Sequence, residues 1–279
     1  MQPSGNPADF AVQPLTQPNG TVIAVGASAF DDEIEAVTST NGGASFSANV
    51  NVTEITHHSA DGSLRDLVLP TSAADAGGTV YTVWQDCRFV SNCTANNLVM
   101  ATTSDGSTWS AVTAIPIGTS GTTDVFLPGL AIEPGTSGST AHLGLTFYFY
   151  TNTDCGIGTC QLEEGYVSST DGGATWSALT TIAGPMTNTW FPTTNQGFMP
   201  GDYESLVFVN GEAIPVLGVA TSRAKGEPYN VSMNIPTTPL TDGVGIFSSA
   251  GELPVVPNAH SDRPARTTPV CDNCDEDED

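Results

Sequence analysis

Apolar positions along the chain gather into short runs rich in β-branched and aromatic residues, separated by clusters of Gly, Pro, Asn, Asp and Ser. Val80-Tyr81-Thr82-Val83-Trp84 and Leu143-Gly144-Leu145-Thr146-Phe147-Tyr148-Phe149-Tyr150 are the most apolar, and each predicts a strand. Weaker strands are predicted at residues 98–102, 110–115, 165–168, 201–208 and 213–220, with a further hairpin at residues 243–247 and 252–256. No run reaches about 18 apolar residues, so no membrane-crossing helix is predicted. With 29 Gly and 19 Pro in 279 residues, the composition suits strands and turns and excludes a helix bundle.

The runs recur with a period. Ser39-Thr40-Asn41-Gly42-Gly43-Ala44-Ser45-Phe46 is echoed by Thr103-Ser104-Asp105-Gly106-Ser107-Thr108-Trp109 and by Ser169-Thr170-Asp171-Gly172-Gly173-Ala174-Thr175-Trp176. Phe46, Trp109 and Trp176 are 63 and 67 residues apart, room for a four-stranded sheet with generous loops. Asx-Gly is a tight-turn signal, and the aromatic that follows anchors the next strand in the core. Each later unit opens on an apolar pair and a proline: Val68-Leu69-Pro70, Phe126-Leu127-Pro128 and Phe198-Met199-Pro200. The third of these begins a fourth unit without a recognisable turn box.

Charge and cysteines narrow the setting. Six Lys and Arg against 30 Asp and Glu give a net charge of −24, which excludes a nucleic-acid binder and a polybasic membrane binder. Cys87 with Cys93 and Cys155 with Cys160 each flank a short polar loop at the same place in its unit. This predicts two local disulfides and an oxidising, extracytoplasmic compartment. Residues 1–7 lack the basic and apolar regions of a signal peptide, so a chain trimmed at its start or missing its upstream part is expected. From residue 257 the pattern stops, and the chain ends in an acidic stretch read as a disordered tail. The domain boundaries expected are therefore 1–256 for the repeats and 257–279 for the tail. Four N-x-S/T sequons, at Asn19, Asn51, Asn92 and Asn230, are what a Ser/Thr-rich chain produces by chance.

The repeated box resembles the Asp-box of sialidases and related β-propellers. Residues 169–176 fit its S/T-x-D-x-G-x-T-W pattern in full. Trp84-Gln85-Asp86-Cys87-Arg88 and Gly201-Asp202-Tyr203 look like further segments of secreted sialidase-like propellers. The resemblance covers residues 20–235 and implies an all-β propeller of four-stranded Asp-box blades, about four of them visible. By the same resemblance, a sialidase would hold a substrate carboxylate with three arginines and use a Tyr nucleophile assisted by a Glu, with an Asp as acid/base. An arginine fork matches a carboxylate bidentately, and clustered cations lower the pKa of a tyrosine.

The residues that can fill these roles are Arg65, Arg88 and Arg223 for the clamp, Tyr229 with Glu227 for the nucleophile pair, and Asp86 or Asp66 for the acid. Tyr203 with Glu204 is a second nucleophile pair. The competing reading pairs the arginines with local acids, Arg88 with Asp86 for example, as exposed bridges of about 0–1 kcal/mol. His57-His58 reads as an exposed loop pair with rings pointing apart. No cofactor is expected beyond Ca²⁺, for which Asp31, Asp32, Glu33 and Glu35 are the candidate cluster. The expectation is a secreted or cell-surface glycan- or protein-binding propeller, its partner a carbohydrate or an extracellular protein, with no nucleic acid and no membrane insertion. The alternatives are an exo-α-sialidase and a structural module of a larger extracellular protein.

Overall fold

A computed structural model describes residues 10–28, 32–118, 121–237 and 240. The hairpin expected at 243–256, the acidic tail with its boundary at 257, and Asp31 of the acidic cluster all lie outside these residues.

Four antiparallel sheets follow one another along the chain, each with its strands in sequence order. The first contains β1 (Phe10–Thr16), β2 (Val22–Ala27), β3 (Glu33–Ser39) and β4 (Val50–Glu54). The second contains β5 (Thr71–Ala74), β6 (Val80–Asp86), β7 (Asn97–Thr103) and β8 (Thr113–Ala114), and the third β9 (Asp124–Ile132), β10 (Leu143–Tyr150), β11 (Gln161–Ser169) and β12 (Thr180–Thr187). A small ribbon, β13 (Thr193–Thr194) with β14 (Gly197–Phe198), leads into the fourth sheet, β15 (Ser205–Val209), β16 (Glu212–Thr221) and β17 (Asn230–Asn234). The first strands pack in succession, β1 on β5, β5 on β9 and β9 on β15. This radial arrangement of meandering sheets is a β-propeller, with four blades among the described residues.

The apolar run 80–84 is continuous because β6 is buried on both faces. Side chains alternate across a strand, so Val80 and Trp84 face blade 1 and pack with Ile23, Val25, Ile34 and Ala36. Tyr81 and Val83 face the other way, into blade 3, against Leu143, Leu145, Phe147 and Phe149. Leu206, Ala213 and Leu217 of blade 4 meet Tyr166 and Ile182 of blade 3 in the same manner. Blade 4 approaches so closely that a Cβ on Gly129 of β9 would lie 2.6 Å from the Glu204 carbonyl carbon, and glycine leaves the room.

Strand alternation gives the propeller two ends. At one end lie the turns joining first to second and third to fourth strands, the repeated boxes among them. At the other, called the mouth here, lie the turns joining second to third strands and the crossovers between blades. Both disulfides, Cys87–Cys93 and Cys155–Cys160, staple mouth turns as expected.

The three boxes share one hydrogen-bond scheme. The Oδ1 of Asp171 accepts from Thr175 N at 2.8 Å, that of Asp105 from Ser107 N and Thr108 N at 2.8 Å each, and that of Asn41 from Ser45 N at 3.0 Å. The opening hydroxyl of each turn, Ser39, Thr103 or Ser169, accepts a glycine N–H at 2.8–2.9 Å. Asn41 substitutes for Asp because the turn needs an acceptor oxygen, not a charge.

Backbone N–H groups of Thr108 and Ser107 hold the Asp105 carboxyl down to about 2. Its folded value is depressed, so its contribution is present above the ordinary value of 3.8 and lost as pH falls toward 2. At this exposed turn Asp105→Ala is expected to cost about 1 kcal/mol at pH 7. The gap in melting temperature from wild type should close on titration to pH 2, as calorimetry would read.

Candidate functional site

Six of the sequence-proposed residues map to the mouth as follows. Arg65 sits in the crossover between blades 1 and 2, Asp86 ends β6, Arg88 lies in the first disulfide loop, and Arg223, Glu227 and Tyr229 lie in the turn between β16 and β17.

They form two separate groups. Asp86 is fully buried and takes Arg88 bidentately, Nε to Oδ1 at 2.9 Å and Nη2 to Oδ2 at 2.6 Å. Arg88 also donates to Thr53 Oγ1 at 3.0 Å and to the Glu54 carbonyl, which ties the blade 2 loop to blade 1. This is the expected local pair, but its acid is buried, so the surface value for its strength does not apply.

The second group gathers on the β13–β14 ribbon. The guanidinium of Arg65 bridges Asp202 at 2.7 Å and donates through Nε to Gln196 Oε1 at 2.9 Å. The Tyr229 hydroxyl shares a hydrogen bond with Thr193 Oγ1 at 3.1 Å, and Arg223 stacks on the Tyr229 ring 3.8 Å from its centre. The bond to Thr193, then the Arg223 charge, holds this phenol below its usual range. Glu227 enters through its backbone, whose carbonyl accepts from Arg223 Nη1 at 2.5 Å. Tyr203 is 68% exposed nearby in sequence to Asp202.

Residues 55–70, the crossover from blade 1 to blade 2, run across the mouth like a strap. On blade 2 the Cys87 N–H donates to the Thr56 carbonyl at 2.6 Å, and the His58 N–H to Asn96 Oδ1 at 2.8 Å. Asn188, after blade 3, donates to the Gly62 carbonyl at 2.8 Å. Ahead of blade 4, Phe198 N–H bonds the Ser63 carbonyl and Arg65 N–H bonds the Phe198 carbonyl, both at 2.8 Å.

Beneath the strap lies a cluster that the sequence reading largely missed. His58 Nδ1 is 3.3 Å from Asp124 Oδ2, and His57 Nε2 is 3.5 Å from Asp66 Oδ2. Each ring meets a carboxylate, and neither is the exposed loop residue expected. Burial, offset by the Asn96 N–H bond and His58, pushes the Asp124 carboxyl up to about 6, with the Asp66 charge adding to the rise. The Tyr150 hydroxyl is held above its usual range by burial, then by the Asp124 and Asp66 charges.

A signal for this cluster was present in the repeats. Asp66-Leu67-Val68-Leu69-Pro70 and Asp124-Val125-Phe126-Leu127-Pro128 match in register, and Gln196 stands four residues before Pro200 in the third copy. Repetition places equivalent residues at the entry to successive blades, and all three positions carry an acceptor oxygen there. Among the described residues no three His, Cys, Asp or Glu side chains form a metal-holding group.

Four antiparallel blades joined by crossovers at the mouth define a β-propeller. No family model matches the sequence, and no curated protein matches it. Among solved structures, the chain is similar to the GH93 α-L-arabinofuranosidase of Fusarium graminearum in complex with arabinobiose, at 17% identity and a TM-score of 0.48. That match covers 83% of this chain and 66% of the other. It is also similar to the Penicillium chrysogenum α-L-arabinanase complexed with arabinobiose, at 15% identity and a TM-score of 0.49 over 82% and 65% of the two chains. A third likeness is to the NanB sialidase of Streptococcus pneumoniae, at 15% identity and a TM-score of 0.42 over 74% and 27%. The chain thus spans less than two thirds of the Penicillium enzyme and about a quarter of the sialidase. No helix among the described residues is long and apolar enough to cross a membrane.

Proposed function

We propose that this chain is a secreted glycan-binding propeller that takes neutral sugars at its mouth. One observation carries the reading: the guanidinium groups of Arg65 and Arg88 are each already engaged by a carboxylate, Asp202 at 2.7 Å and Asp86 at 2.6 Å. A clamp for an anionic sugar needs several cations facing the ligand, and Arg223 alone is left without an acid partner of this kind. Neutral sugars ask for different chemistry: an aromatic face to stack on and oxygen acceptors for hydroxyls. The Arg223-backed ring of Tyr229, exposed Tyr203 and the strap carboxylates offer both. In this reading Arg65, Arg88 and Asp86 build the rim, while Tyr229 and Arg223 touch the ligand. The two disulfides support an extracytoplasmic setting.

The test pairs an activity assay with titration calorimetry. A fluorogenic sialoside should show no turnover, and a panel of neutral pentose and hexose oligosaccharides should contain at least one binder. Tyr229→Ala should weaken that binder about tenfold, the loss of one stacking contact. Sialoside turnover lost in Arg223→Ala would overturn the proposal in favour of an exo-α-sialidase. A folded chain that binds no sugar would leave the structural module.

A second reading, hydrolysis of a neutral glycoside, rests on Asp124, whose carboxyl at about 6 keeps a proton close to neutrality beside the second carboxyl of Asp66. Hydrolysis of a bound oligosaccharide that disappears in Asp124→Asn, with binding retained, would establish it.

A further inference from the structure

A second acidic cluster lies where blade 4 meets blade 3, with Glu204 in the crossover that enters blade 4. Glu164, in β11, is completely buried, and its cross-strand neighbour in β10 is Tyr148. The Tyr148 hydroxyl reaches over to blade 4 and donates to the Gly218 carbonyl of β16 at 2.9 Å. Glu204, at the entry to β15, lies against Gly129 of β9, and its carboxyl meets those of Glu164 and the Tyr148 hydroxyl. The Tyr148 proton is already committed to Gly218. Both oxygens of Glu164 and Oε2 of Glu204 lack a well-aligned donor.

Among the described residues no cation acts on either carboxyl. The groups packed around it from β9, β10, β12 and β16 are Gly129, Tyr148, Ala183 and Gly218. Arg65, the cation paired closest to Glu204 along its own segment, is bound to Asp202, two residues before Glu204. Two adjacent carboxylates in an apolar seam cannot both be ionised at a tolerable cost. One proton between them removes the repulsion and supplies the missing donor, as an O–H from one carboxyl to the other.

We propose that a proton held between Glu164 and Glu204 latches blade 4 onto blade 3, and that losing it as pH rises frees blade 4 together with the rim turn that carries Arg223 and Tyr229. The device is independent of what the mouth binds. Burial pushes Glu204 up to about 8, and burial followed by the Glu204 charge holds Glu164 well above the carboxylate range.

The sign follows from linkage. The native carboxyl holds its proton up to about 8, whereas once the blade opens it returns toward the ordinary 4.5. Opening therefore releases a proton between those two values, and stability is greatest at low pH and falls as pH rises through that window. The opening constant should rise about tenfold per pH unit for each proton released, and level off above about 8.

Hydrogen exchange with mass spectrometry, corrected for the intrinsic pH dependence of exchange, reads this directly on the whole chain. Between pH 5 and 8, peptides spanning residues 205–221 should lose protection by about a thousandfold for one proton. Peptides from residues 80–103 of blade 2 should not follow. The Glu164→Gln/Glu204→Gln double variant should abolish the slope in 205–221, since neither amide titrates. A wild-type slope that is absent, or that blade 2 shares, overturns the latch, as does a slope that survives in the double variant. Should that variant fail to fold, the comparison of blades in wild type decides alone.

Discussion

Asp86→Ala is expected to destabilise the protein by about 3–5 kcal/mol, far more than a surface bridge would cost. Asp86 is fully buried at the end of β6 and accepts five hydrogen bonds. Two come from the guanidinium of Arg88 and one from the Arg88 backbone at 2.8 Å. The others come from Thr56 N at 3.2 Å, in the strap, and from the Trp84 indole at 3.3 Å. Alanine would leave a largely buried guanidinium with only Thr53 and the Glu54 carbonyl, and an indole N–H with no acceptor inside the blade 1–blade 2 core. An unpaired buried charge is the costly outcome. At this chain length about 2–4 °C accompanies each kcal/mol, so the melting midpoint should fall by roughly 6–20 °C in calorimetry. Asp86→Asn keeps the shape and one acceptor oxygen and should lose less. A shift below 2 °C for the alanine variant would mean that the pair is solvated and that the rim does not depend on it.

That result also bears on how far the sequence could be read. Arg88 and Asp86 are two residues apart, so their pairing was legible, but their burial was not. Burial comes from Thr53, Glu54 and Thr56 arriving from another blade. The turn boxes and the cysteine loops were legible for the same reason: their hydrogen bonds and disulfides join residues within a few positions. The run 110–115 promised a full strand, yet only Thr113–Ala114 form a regular strand, both exposed at the outer edge of the blade. The third strand of blade 4, Asn230–Asn234, went unseen, since its side chains are mostly exposed and its sequence carries no apolar run. Glu164 looks like an ordinary strand acid, and Glu204 reads only as the partner of Tyr203. Only the packing of blade 4 on Gly129 and Gly144 brings them together.

The mouth cluster lies between these extremes. Asp66 and Asp124 occupy matched positions before Leu-Pro in successive units, a regularity visible in the sequence. Their meeting with His57 and His58 depends on the strap, whose route across the mouth has no local signature. Adjacent His residues present rings to opposite sides of an extended segment. Here His57 meets Asp66 of the strap itself, while His58 meets Asp124 at the start of β9.

The seat of the strap on blade 4 can be broken at one atom position. Gly197, in the ribbon, holds φ at +123°, and a Cβ there would clash with the Ser63 carbonyl oxygen, which is the acceptor for Phe198 N–H. Gly197→Ala combines backbone strain with a collision against backbone that has no rotamer to change. Strain of this kind costs about 1–3 kcal/mol and overpacking a similar amount, so a loss of about 3 kcal/mol is expected. The two 2.8 Å bonds between the strap and Phe198 should go together, and with them the position of Arg65 beside Gln196 and Asp202. Gly135→Ala is the matched control: its φ is +88°, nothing lies within 4 Å of the added carbon, and it sits at the end opposite the mouth. The difference between the two variants isolates the clash from the strain. Hydrogen exchange should show residues 60–68 losing protection in Gly197→Ala alone, and any mouth ligand should bind at least tenfold more weakly. Equal melting shifts, with the strap equally protected in both, would show that the crossover holds its place without the ribbon. The mouth would then be organised by the His–Asp pairs, of which His58–Asp124 fastens the strap to blade 3 and His57–Asp66 ties the strap to itself.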